Sequence, residues 1–136
     1  MKKILFLMIT ALITTSAMAD DEDYIKYRQQ IMKSISANLK ATSMLLKGKV
    51  NLDGQLHRHA QALEDSGKVL EKLFPEGSDF GETDAKPAVW EDSAGFLKEV
   101  NKFKQATAAF NSSPSMKTFG AVGKTCKSCH KAYREK

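Results

Sequence analysis

Near the end of the chain, two cysteines and a histidine stand in the run Cys126-Lys127-Ser128-Cys129-His130. This C-x-x-C-H pattern reads as an attachment site for a c-type haem. On a helix, two thiols three residues apart share one face and can add across the two vinyl groups of one porphyrin edge, leaving two thioethers. The histidine beside the second cysteine then comes beneath the ring and can bind iron through an imidazole nitrogen.

Two other chemistries use cysteines at this spacing. One is a disulfide or thiol oxidoreductase, of which the oxidoreductase sets C-x-x-C near a strand-to-helix junction in a βαβ context, and no convincing strand alternation is present. A structural zinc site needs four ligands. The only further histidines, His57 and His59, lie two apart on a helix and diverge by roughly 200°, so they read as solvated or partner-facing.

The chain must first reach a compartment where such chemistry is possible. Met1-Lys2-Lys3, the apolar run from Ile4 to Ile13 and the closing Ala17-Met18-Ala19 form a secretory signal peptide, cleaved after Ala19. The apolar run is too short for a membrane span. Residues 1–19 are therefore expected to be removed and residues 20–136 to form a single domain in the periplasm, without membrane insertion. Losing Lys2 and Lys3 lowers the formal charge of +5 by two. The lysines are scattered singly among acids, with no interleaved stacking aromatics, which gives nucleic acid no support as a partner.

Four helical patterns position the motif. From Asp20 to about Lys47, Tyr24, Arg28, Ile31, Met32, Ile35, Leu39 and Leu46 recur every three or four residues behind the acids Asp20 to Asp23. Gly48 and Asn51 to Gly54 interrupt this helix. A second runs through Leu56, Ala60, Leu63, Gly67, Leu70 and Phe74 until Pro75 stops it. The segment from Pro75 to Asp84 reads as a loop. A third helix opens at Pro87 and continues unbroken to Phe110, and Ser113-Pro114 opens the fourth as N-cap and first helical position. Short links between amphipathic helices predict an all-α, antiparallel four-helix bundle enclosing the haem. Most of the apolar stripe needs no role beyond core.

The position of C-x-x-C-H, six residues from the end, resembles the class II cytochromes c, the cytochrome c′ family. The likeness covers the whole mature chain: Tyr27-Arg28-Gln29-Gln30-Ile31-Met32-Lys33, then Lys86-Pro87-Ala88-Val89-Trp90 with Phe103 after it, then Cys126 through Arg134. The resemblance implies one covalent haem c inside the bundle, held by Cys126 and Cys129, with His130 as axial iron ligand and Met32 over the distal face.

Two states of the iron remain open. If Met32 Sδ binds iron, the site is six-coordinate and low-spin, suited to electron transfer alone. If Met32 merely packs above it, the site is five-coordinate, mostly high-spin, and open to small gases such as nitric oxide and carbon monoxide. The Tyr27-Arg28-Gln29 and Lys86-Pro87-x-x-Trp90 motifs resemble the five-coordinate branch. By the same resemblance Arg28 and Gln29 lie near the haem propionates, where a guanidinium would make a charge-assisted pair, and Thr83 and Asp84 approach the haem edge, although Asp84 could equally cap the third helix. Arg134, four residues beyond His130, falls one helical turn away and borders the proximal face, or else complements the helix dipole. Phe74 walls the distal pocket or is ordinary core. The family further implies no catalytic acid or base, redox partner proteins and a homodimer.

Overall fold

A computed structural model describes residues 21–135; the expected signal peptide and Asp20 lie outside the described residues. Helix α1 (Asp21–Leu46) begins with three acids in its first turn, which complement the helix dipole. It ends where Gly48 adopts φ 66. There Gly48 N donates to Leu45 O and Lys49 N to Met44 O, the paired bonds of a Schellman stop in which a left-handed residue disfavours any side chain.

After Gly54, α2 (Gln55–Val69) runs back along α1 and tightens into a 3-10 turn at Leu70–Leu73 before Pro75. The expected third helix is divided. A single turn, α3 (Ala88–Glu91), precedes α4 (Ser93–Ser112), because Asp92 leaves the helical region (φ −116, ψ 56) and its carboxylate accepts from Gly95 N. An internal N-cap thus opens a new helix where hydrophobic spacing alone runs on. The fourth helix also starts later than expected. Ser115, not Ser113, caps α5 (Met116–Tyr133) in a reciprocal capping box with Thr118, and Pro114 lies in the link.

The long helices pack in chain order, α1 on α2, α2 on α4 and α4 on α5, and form an antiparallel four-helix bundle. Close approach of α2 and α4 is set at Gly67, where a Cβ would come 3.2 Å from Thr107 Oγ1 and 3.5 Å from the Phe103 ring. The core is one cluster, from Ile35 and Leu63 through Phe96, Val100, Phe103 and Phe110 to Val122 and Tyr133. α1 and α5 do not pack closely on each other; a cavity lies between them. No described helix is long and apolar enough to cross a membrane.

Candidate functional site

The cavity between α1 and α5 measures about 540 Å³, within the ~300–1,000 Å³ typical of cofactor sites. Its interior wall is apolar, built from Ile35, Leu39, Leu70, Phe74, Val100 and Phe103. α5 lines one side with Cys126, Cys129 and His130, and α1 lines the other with Met32. Both cysteines are half-buried and unbridged. Met32 is half-buried and packs against the apolar core.

Electrostatics separate the possible chemistries. Burial, with lesser contributions from Glu99 and Cys126, pushes the Cys129 thiol up to about 11, and burial also raises Cys126. Redox-active cysteines are held in electropositive surroundings that favour the thiolate; these two are held as neutral thiols. Burial, and then the nearby Arg134 cation, lowers the His130 imidazole, so at neutral pH it keeps a free lone pair for a metal. No cluster of three or more His, Cys, Asp or Glu with metal-binding geometry occurs among the described residues. Two thiols and a neutral imidazole on the wall of an apolar cavity are the donors that a covalently bound haem needs.

The remaining expected residues gather at the two ends of one loop. Arg28 is 3% exposed. It donates from Nη1 to Ser78 Oγ (2.8 Å) and from Nη2 to Ser78 O (2.7 Å) and Thr83 Oγ1 (2.6 Å). Its guanidinium also sits 5.0 Å from the Phe74 ring centroid and 5.6 Å from that of Trp90. Ser78 Oγ and Trp90 Nε1 both donate to Pro75 O. Arg28 therefore ties the 74–87 loop onto α1, while still lining the cavity. Gln29 Nε2 donates to Glu82 O (2.8 Å), a second tie to the same loop.

Thr83 also lines the cavity and accepts from Ala85 N. Asp84 caps no helix; α3 has no side-chain cap. Asp84 pairs instead with Arg134, Oδ2 accepting from Nη2 at 2.8 Å. Arg134 lies just beyond the helix in an extended conformation rather than continuing it. Backbone bonds from Lys86 N to Tyr133 O and from Glu135 N to Asp84 O join the same segments, so the loop clasps the end of the C-x-x-C-H helix. Phe74 lines the cavity and meets Phe96 edge-on at 4.8 Å. His57 is exposed, and His59 Nδ1 lies 2.8 Å from Asn38 Oδ1.

Three residues at the site, Glu99, Tyr133 and Ser78, were not among those expected from the sequence. Glu99 lines the cavity; its Oε1 pairs with Lys102, which, with a lesser contribution from Ser128, holds the carboxyl below its usual range. An acid placed inside the apolar stripe Phe96, Val100, Phe103 was the signal for it. Tyr133, four residues after Cys129, lines the cavity and donates to Asp92 Oδ2 (2.8 Å), which pushes it up to about 12. Ser78 is fully buried under Arg28.

An antiparallel helical bundle with a C-x-x-C-H run on the wall of an internal apolar cavity defines the class of bundle-type c haem proteins. Within that class the chain belongs to the cytochrome c′ family, whose model matches residues 23–134. Its cofactor is haem c. A cytochrome c′ of Pararhodospirillum photometricum is 33% identical over 125 residues, covering 86% of this chain and 100% of that protein. Two solved structures of cytochrome c prime variants from Alcaligenes xylosoxidans share the fold at 28% identity. One, with carbon monoxide bound, superposes with TM-score 0.79 over 87% of this chain and 98% of the other. The second, a nitric oxide complex, gives TM-score 0.76 over the same shares.

Proposed function

We propose that this chain is a periplasmic gas-binding cytochrome in which Cys126 and Cys129 carry the haem thioethers, His130 is the axial iron ligand, and Met32 covers the distal face without binding iron. The observation that carries this reading is the placement of Met32. Met32 on α1 and His130 on α5 line the same cavity, and Met32 packs against the apolar core. When bound, haem c supplies an iron able to take a small neutral ligand or an electron.

The chain's own residues do the rest. His130 offers a neutral imidazole, and the apolar wall around Met32 excludes ions and favours uncharged diatomics such as nitric oxide and carbon monoxide. Arg28, through Ser78 and Thr83, and Arg134, through Asp84, fix the loop that borders the haem edge and propionates, with Gln29 as a further tie. No general acid or base is required, so the role is ligand binding and electron transfer rather than catalysis. The carbon monoxide and nitric oxide complexes of the related proteins support the same ligand class.

The signal peptide, with cleavage after Ala19, delivers residues 20–136 as one domain to the periplasm, where reduced thiols and haem can be joined. A homodimer belongs to the same proposal, with exposed Met44 and Leu52 at the α1–α2 end as apolar surface for it. Mass spectrometry of the denatured protein tests the attachment: the haem mass should stay on the peptide containing Cys126 and Cys129, and its loss under denaturing conditions would refute it. Met32→Ala tests the distal assignment. The ferric spectrum should stay high-spin, and a change from low to high spin would show that Met32 had been the sixth ligand.

A further inference from the structure

Tyr133 brings a phenol to the wall of the cavity, and Asp92 brings a carboxylate to the phenol. Tyr133 follows Cys129 by four residues and His130 by three, which puts it on their face of α5, and all three line the cavity. Its side chain is buried, and Oη donates to Asp92 Oδ2 at 2.8 Å. The two carboxylate oxygens divide their work: Oδ1 accepts from Gly95 N as the cap of α4, which leaves Oδ2 for the phenol. A Cβ at residue 95 would stand 2.5 Å from Tyr133 Oη, so glycine there lets the pair close. Asp92 itself is exposed, and a proton that it receives can pass to water. The bond to Asp92, and then burial, push the phenol up to about 12. At neutral pH Tyr133 is therefore protonated, and its oxidation must release a proton.

Ring contacts continue from Tyr133 to Phe96 (5.5 Å between centroids), from Phe96 to Phe74 (4.8 Å) and from Phe74 to Trp90 (6.3 Å). Trp90 is the other readily oxidised ring of this group, and both of its polar neighbours disfavour a hole there. The Arg28 guanidinium sits 5.6 Å from its centroid, so a positive charge on the indole would face a cation. Its Nε1 donates to Pro75 O, a carbonyl, which is no base for the indole proton. Among these four rings Tyr133 alone offers its proton to a carboxylate, within the ~2.6–3.2 Å reach of a positioned base.

We infer that Tyr133 is a redox-active tyrosine, with Asp92 as its proton acceptor, which delivers one electron to a hydroperoxide reduced in the cavity. The inference rests on reading the cavity as the haem seat. Hydrogen peroxide is small and uncharged, like the diatomic ligands that the apolar wall favours. Its O–O bond breaks as it takes up two electrons and two protons, and two waters form. Ferrous haem c is the source of one electron and becomes ferric; Tyr133 gives the other. The phenolic proton crosses to Asp92 Oδ2 and goes on to water, so Tyr133 is left as a neutral phenoxyl radical and no cation is created beside Arg28 or Arg134. One peroxide, one ferrous iron, one phenol and one proton thus give two waters, one ferric iron and one phenoxyl.

The test uses the haem-loaded protein, reduced without oxygen, mixed with an equal amount of hydrogen peroxide, frozen within milliseconds and read by electron paramagnetic resonance. The wild type should give a tyrosyl radical whose hyperfine splitting narrows when the chain carries ring-deuterated tyrosine. Tyr133→Phe keeps the ring contacts and should abolish that signal, whereas Tyr24→Phe/Tyr27→Phe should retain it. Asp92→Asn keeps an N-capping side chain but removes the base, and should lower the signal at a fixed early time by roughly tenfold or more. It carries the test by itself if near-UV circular dichroism shows Tyr133→Phe to be misfolded. A signal that survives Tyr133→Phe, or that ring deuteration leaves unchanged, would overturn the inference. An undiminished signal in Asp92→Asn would overturn it too, by reducing Asp92 to a helix cap. Haem absorbance is read in every sample: a haem-loaded wild type that forms no radical refutes the redox tyrosine alone, whereas a wild type without haem refutes the haem seat instead.

Discussion

Removing the haem should dissolve the tertiary structure while leaving the helices. The cavity between α1 and α5 is about 540 Å³ and lined mainly by apolar side chains. At the ~24 cal/mol per Å³ found for cavities in protein cores, leaving it empty would cost about 13 kcal/mol as an upper bound, because the mouth admits water. That rivals the whole stability of a domain this size, ~5–15 kcal/mol. The bundle should then relax inward into a compact helical state with fluctuating packing. The perturbation is Cys126→Ala/Cys129→Ala, together with the unaltered chain expressed without haem, so that loss of the thiols and loss of the group are told apart. Far-UV circular dichroism should stay near native, whereas the near-UV signal of Trp90 and its aromatic neighbours, and the dispersion of the amide NMR spectrum, should collapse in both. A haem-free chain with sharp near-UV bands and a cooperative urea transition would refute the reasoning, since it would mean that the cavity closes or persists at little cost.

Arg28→Lys should cost about 2–3 kcal/mol in urea unfolding, because an ammonium cannot reproduce the three bonds to Ser78 and Thr83 and leaves buried acceptors unpaired; hydrogen exchange should quicken across residues 74–87. Asp92→Ala removes the N-cap that divides α3 from α4 and should cost about 1 kcal/mol by the same assay. Tyr133 is raised to about 12, first by its bond to Asp92 and then by burial. The folded state therefore holds this proton more tightly than the unfolded chain, so its contribution to stability is complete below pH 10 and is lost as pH climbs to about 12. Thermal melts of the wild type should fall across that window, and Tyr133→Phe should flatten the fall.

Local chemistry was legible in the sequence, and contacts across long separations were not. Cys126, Cys129 and His130 lie within five consecutive residues, so their shared helix face follows from spacing alone. The four-helix pattern was visible for the same reason. Helix ends misled where two signals competed. Ser113-Pro114 carries the usual serine-proline signature, yet Ser115 with Thr118 makes the box, and a threonine at the third position is a weaker signal than a glutamate. At Asp92 the apolar periodicity ran straight through a cap that only the bond to Gly95 N reveals.

Arg28 was singled out, but its partners stand fifty or more residues away in a loop without periodicity, where sequence spacing says nothing about distance.

The central claim is an iron held by His130 and left open beneath Met32. Resonance Raman and absorption spectra of the purified haem-loaded protein test it most directly, in ferric and ferrous forms, before and after carbon monoxide. Five-coordinate, mostly high-spin iron is expected in both oxidation states, converted to a six-coordinate low-spin complex when the ferrous protein takes up the gas. A wholly low-spin spectrum with a methionine-to-iron charge-transfer band, unchanged by carbon monoxide, would contradict it and make the protein an electron carrier with Met32 as its sixth ligand.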